Sequence, residues 1–147
     1  MDIETIEDEL INTIKQNMSY LKTVDLYQGE LDEDDIKKVA RRFPAVLIYM
    51  EAADYVNRGY PLKWQKVSLT FLVCDKNLRT RKQVRRGSST NPGTYKILKD
   101  LFDHIYNSDL GLTDQVHPLD IEREEAIVNR AGVSIYAATY KTQFAKN

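Results

Sequence analysis

Six cations stand within eleven residues at positions 76 to 86: Lys76, Arg79, Arg81, Lys82, Arg85 and Arg86, with no acid among them. Such side chains neutralise phosphates or pair with carboxylates, and arginine can do either through two parallel hydrogen bonds. The segment Gly87-Ser-Ser-Thr-Asn-Pro-Gly93 follows and invites comparison with a phosphate-binding loop. That comparison fails, because Gly93 runs into Thr94 and Tyr95 and supplies no lysine to reach the outer phosphates. Three uses of the basic stretch stay open on residue type alone: a nucleic-acid contact, a protein contact or a solvated loop.

No other constellation suggests chemistry. Cys74 is the only cysteine, and His104 and His117 stand far apart, so neither an intrachain disulfide nor a cysteine zinc site can be built. No serine lies in a nucleophile elbow. The densest late carboxylates, Glu122, Glu124 and Glu125, read as a solvated face. The sequence therefore predicts no enzyme: no catalytic residues, no metal ligands and no cofactor.

Charge is segregated along the chain. The 147 residues sum to −1, and since residues 76 to 86 contribute +6, the remainder carries −7. A body of one sign and a segment of the other attract each other between copies. For a nucleic-acid contact, the amino terminus of the helix expected after the basic stretch would offer an anion site. Against it stand the acidic body and the absence of any aromatic residue from 76 to 94.

The elements that must carry these residues follow from periodicity. Ile3, Ile6, Leu10, Ile14 and Met18 recur at spacings of three and four and predict a helix over 2–18, with acids crowding its amino-terminal half. A short strand fits within 22–30, ending at Gly29. A second helix begins with Asp32 as N-cap, turns Ile36, Val39 and Ala40 inward, and stops at Pro44. Ala45 to about Ala52 reads as a central strand with two apolar faces, and 57–61 as a turn. Val67, Leu69, Phe71 and Val73 alternate with Lys66, Ser68 and Thr70, the clearest strand, with Cys74 as a small buried residue. Asn91-Pro92 reads as N-cap and first helical residue, followed by an apolar stripe of Tyr95, Leu98, Leu101, Phe102 and Ile105 that ends by Gly111. Ile121–Val128 and Val133–Phe144 form strands around a loop at 129–132.

The expected fold class is α+β: a single mixed, mostly antiparallel sheet flanked by helices, with a long basic loop. The length suits one domain over residues 1–147, with 76–93 as an arm of about eighteen structureless residues inside it. The arm is expected to be mobile alone and to order against something acidic, a neighbouring copy being the nearest candidate. The acidic amino terminus and the short apolar runs argue against a signal peptide or a membrane span and for a soluble protein made inside the cell.

Nearly the whole chain resembles the tail terminator, or tail completion, proteins of Mu-like contractile-tailed phages and prophages. The resemblance runs through Ile3-Glu4 and Ile6, Lys22-Thr-Val-Asp-Leu-Tyr-Gln-Gly-Glu30 and Phe43-Pro44-Ala45-Val46-Leu47. It continues through Thr70-Phe71-Leu72-Val73 into Asn77-Leu-Arg79, Arg85-Arg86-Gly87, Gly93-Thr-Tyr95-Lys-Ile-Leu98-Lys-Asp100 and Val133-Ser-Ile-Tyr136. It implies a non-enzymatic virion protein, assembled in the host cytoplasm, that forms a ring, typically hexameric, on the tail. The implied partners are other copies of itself, the tail tube or sheath protein, the head connector and DNA passing through the ring. Arg79, Arg81, Arg85, Arg86 and Gly87 carry over as an interface element, to which Lys76 and Lys82 add their charge.

Overall fold

The structure, a computed structural model, describes residues 2–32, 36–57, 59, 63–77, 80–112, 116–130 and 132–146. Helix α1, Ile3–Asn17, opens on Asp2, whose carboxylate accepts from the Thr5 amide at 2.9 Å. Strand β1 spans Thr23–Leu26, so it stops short of Gly29. After a 3-10 turn at Glu30–Asp32 comes helix α2, Ile36–Ala40. Val39 and Ala40 are buried as expected, while residues 33–35 and the side chains of Asp32 and Ile36 lie outside the described residues.

Strands β2 (Ala45–Asn57) and β3 (Lys63–Asn77) are both longer than their apolar patterns suggest. Helices α3 (Arg81–Arg86) and α4 (Thr94–Ile105) follow, then strands β4 (Asp120–Arg130) and β5 (Gly132–Lys146). The five strands form one mixed sheet in the order β1-β2-β3-β5-β4. β1 runs parallel to β2, and every other pairing is antiparallel. The α+β class and the mostly antiparallel sheet are as the sequence predicts.

The sheet is covered on both faces over its central strands. On one face, Ile6, Leu10, Ile14 and Met18 of α1 and Ile97, Leu98, Leu101 and Ile105 of α4 pack on Val46, Ile48, Leu69, Phe71, Val73 and Tyr140. On the other, Val39, Ala40 and Phe43 cover Leu47, Leu72, Cys74, Ile135 and Ala137. This explains the two apolar faces of β2 and of the second half of β3. Cys74 is fully buried, and burial pushes its thiol up from the ordinary value. Leu10→Ala should leave a hole between α1 and the sheet, at a cost of about 3 kcal/mol, measured by urea unfolding.

Two helix readings need correction. α4 begins at Thr94 with Gly93 at its N-cap, not at Asn91-Pro92, because the Asn91 side chain is engaged elsewhere. The buried stripe of α4 is Thr94, Ile97, Leu98, Leu101 and Ile105. Tyr95 and Phe102 instead lie on the exposed flank of the helix, 46% and 36% accessible. An apolar count treats aromatic rings as core, whereas the 3.6-residue period places them one step round the helix.

Candidate interaction surface

The basic stretch is not the structureless loop expected. Lys76 pairs with Val133 of β5, one residue before β3 ends at Asn77. Leu78 and Arg79 lie outside the described residues. Thr80 then caps α3, its hydroxyl accepting from the Gln83 amide at 3.0 Å. Val84 is fully buried and pins this short helix to the body. A four-cation helix of six residues has little stability of its own, so anchoring of this kind is what holds it.

The cations radiate from that anchor. Arg81, Lys82 and Arg86 are exposed, while Arg85 is half-buried, with Nε donating to the Arg81 carbonyl at 3.3 Å and the guanidinium close enough to Tyr136 to act on its hydroxyl. Among the described residues, none of the ion pairs involves Lys76, Arg81, Lys82, Arg85 or Arg86. The positive charge is displayed outward rather than neutralised within the subunit.

The support beneath α3 is a set of residues the sequence reading passed over. Asp75, fully buried near the end of β3, accepts from Asn91 Nδ2 at 3.1 Å, from the Gly93 amide at 2.7 Å and from the Lys76 amide at 2.8 Å. Asn91 Nδ2 also donates to the Gln83 carbonyl at 3.0 Å, and its Oδ1 accepts from Asn77 Nδ2 and Ser88 Oγ, both at 2.6 Å. One asparagine thereby ties the end of β3, the α3 backbone and the loop together. Ser88, assigned no role from sequence, is part of the same knot and also receives the Thr90 amide at 3.2 Å.

Gly87 and Gly93 close the knot. Both hold positive φ, +89° and +87°, where L side chains are strained. A Cβ on Gly87 would stand 2.3 Å from the Pro92 carbonyl oxygen, and one on Gly93 2.3 Å from the Gly87 nitrogen. Gly87, expected as an interface residue, therefore has a definite conformational duty. A carboxylate interrupting an apolar strand, sixteen residues before Asn-Pro-Gly, was the legible hint of this arrangement.

Two further features border α3. Tyr20, just past α1, donates to Asp100 Oδ2 at 2.7 Å, and Lys96 shares that carboxylate at 2.9 Å. On the other side, the rings of Tyr95 and Tyr136 meet edge to face with centroids 5.9 Å apart. The stretch that lacks aromatic residues in sequence thus acquires two in space.

Among the described residues, no group of acids, histidines or cysteines is placed to hold a metal ion, and no helix is long and apolar enough to cross a membrane. His104 is exposed on α4, and His117 packs edge to face on Trp64 at 4.9 Å.

The comparisons agree with this architecture. A chain in the virion of a native gene transfer agent particle has a similar fold, with a TM-score of 0.60 over 96% of this chain and 95% of that one at 10% identity. No curated protein matches the chain. The family model described as Bacteriophage Mu, Gp37 matches residues 2–145, nearly the full length. The chain therefore belongs to that family of bacteriophage Mu proteins.

Proposed function

We propose that this protein is a tail terminator: a non-enzymatic subunit that assembles into a ring, typically hexameric, caps the finished tail tube and presents a surface to the head connector. The chain acts as one domain, and its basic segment, Lys76 and Arg79 to Gly87, is the contact element. One observation carries this reading: Arg81, Lys82, Arg85 and Arg86 stand on an anchored helix, and among the described residues none of them forms an ion pair with an acid of its own subunit. Unpaired charge on a rigid support is suited to meeting an oppositely charged partner, and a head-to-tail contact between copies closes a ring.

Electron microscopy of the purified protein, alone and with tail tubes, tests the ring directly. Light scattering across concentration should show oligomers, and a monomer under every condition would overturn the reading. Replacing Arg79, Arg81, Arg85 and Arg86 with serine should weaken assembly at least tenfold or so, by loss of close charge pairs. The melting temperature should stay within a few degrees, because Arg81 and Arg86 are exposed and Arg85 is only half-buried, and side chains so placed contribute little to stability.

A second reading, a nucleic-acid contact, gains from the placement of Tyr95 and Tyr136 beside Arg85, since cations next to aromatic faces suit unpaired bases. It predicts DNA affinity that falls steeply between 50 and 200 mM salt, by roughly 10³-fold or more if six phosphates are contacted. No binding at the lower salt ends it.

A further inference from the structure

Tyr95, Phe102 and Tyr106, three of the six exposed large apolar side chains among the described residues, lie along one flank of α4. Phe102 and Tyr106 stack with centroids 4.5 Å apart, and Tyr95 meets Tyr136 of β5. Between this flank and β4 runs a groove of about 500 Å³ lined by Tyr95, Leu98, Lys99, Phe102, Glu124 and Tyr136.

The charges in the groove are unequally satisfied. Lys99 turns to Asp103 at 3.0 Å. Outside the groove, on the same strand, Glu122 meets Lys141 at 3.0 Å and Glu125 meets Arg123 at 3.4 Å. Glu124, between them, has no ion pair among the described residues, and partial burial raises its pKa from the ordinary value. Aromatic walls with one partly desolvated, unpaired carboxylate make a receptacle for a cationic side chain, which can lie over a ring face while pairing with the acid. The subunit's own Arg85 already lies near Tyr136 at the border of this groove.

The occupant's chemistry is thus set: positive, with a long apolar stem. A phosphate chain does not fit, because the groove presents the carboxylate of Glu124 while its lysine, Lys99, is already paired with Asp103. The chain itself carries the matching surface in Arg81, Lys82 and Arg86 of α3, exposed and in no ion pair among the described residues. The geometry points to a contact between copies in which α3 of one subunit lays its outward cations into the α4–β4 groove of another, against Glu124 and the rings of Tyr95 and Phe102. This contact rests on the ring reading and supplies the acceptor that the reading leaves unnamed.

Charge exchange tests it on the full-length chain. Glu124→Arg, and separately Lys82→Glu with Arg86→Glu, should each raise the concentration needed for assembly at least about tenfold, as like charges meet across the contact. The chain carrying all three changes should recover to near the wild-type midpoint, because the pair is restored with its signs reversed. Phe102→Ser should weaken assembly without altering any charge. Circular dichroism should be unchanged throughout, since all four positions are exposed.

If wild type forms rings and Glu124→Arg forms them equally well, this contact is wrong and the ring stands. The same holds if the triple variant is no better than its parents. If wild type itself remains monomeric with and without tubes, the ring and the contact fall together.

Discussion

Gly93→Ala is expected to cost the protein roughly 3 kcal/mol, from a strained left-handed backbone of about 1–2 kcal/mol and a steric conflict of about 1–3 kcal/mol. The new Cβ would lie 2.3 Å from the Gly87 nitrogen and 2.7 Å from both the Arg85 oxygen and the Arg86 carbonyl carbon. All three are backbone atoms of the basic segment, so no side-chain rotation relieves the clash. Either α3 moves away from the amino terminus of α4 or Gly93 leaves its conformation and surrenders its hydrogen bond to Asp75. Urea unfolding measures the loss, with Gly111→Ala as the control. Gly111 also has positive φ, +75°, but open space around it, so only the backbone strain of about 1 kcal/mol applies. Equal losses at the two sites would contradict the close approach of the two segments.

Asp75→Ala should be comparably severe, at about 3 kcal/mol, because it leaves two inward-facing donors, Asn91 Nδ2 and the Gly93 amide, without this acceptor. It should also loosen α3, seen as faster amide exchange over residues 80–93 than in the central strands. Asp75→Asn separates charge from hydrogen bonding. Its amide oxygen can still receive Asn91 and Gly93, but its NH2 then faces the Lys76 amide, donor against donor.

The pH dependence of the two chains should differ. Burial is the largest influence on Asp75 and pushes its carboxyl up, against the hydrogen bonds from Asn91, Lys76 and Gly93 that pull it down. A carboxyl with a folded pKa above its unfolded one keeps a proton in the native state after the unfolded chain has released it. Its stabilising contribution is therefore complete below the ordinary carboxylate range and is lost as pH rises through the raised folded value. Asp75→Asn should flatten that part of the stability curve. An unchanged slope would assign it to other raised carboxyls, such as Glu7 or Glu124.

These effects bear on assembly. Arg81, Lys82 and Arg86 present a useful surface only while α3 is held at a fixed angle, because a flexible basic tail spends ordering entropy at the moment of contact. Gly93→Ala and Asp75→Ala should therefore reduce ring formation even though neither residue is proposed to touch a neighbour. Serine replacements of the arginines should do the converse, lowering assembly while leaving the fold intact. The two sets separate support from contact.

Much of this protein was legible in its residue order. The period-two alternation of Val67 to Val73, the helical stripe of Ile6, Leu10 and Ile14, and the double apolar faces around Leu47 and Leu72 determine an α+β body, because local spacing dictates which side chains can share a face. The cationic stretch and its separation from an acidic remainder were equally plain, since charge is a property of composition. Three-dimensional packing alone decided that this stretch is anchored, that Asp75 and Asn91 meet across sixteen positions, that Gly87 and Gly93 touch, and that Tyr95, Phe102 and Glu124 border one groove. Those relations depend on how β3, α4 and β4 come together in space. They are contacts between segments distant in the chain, and a periodicity carries no information about distance between elements.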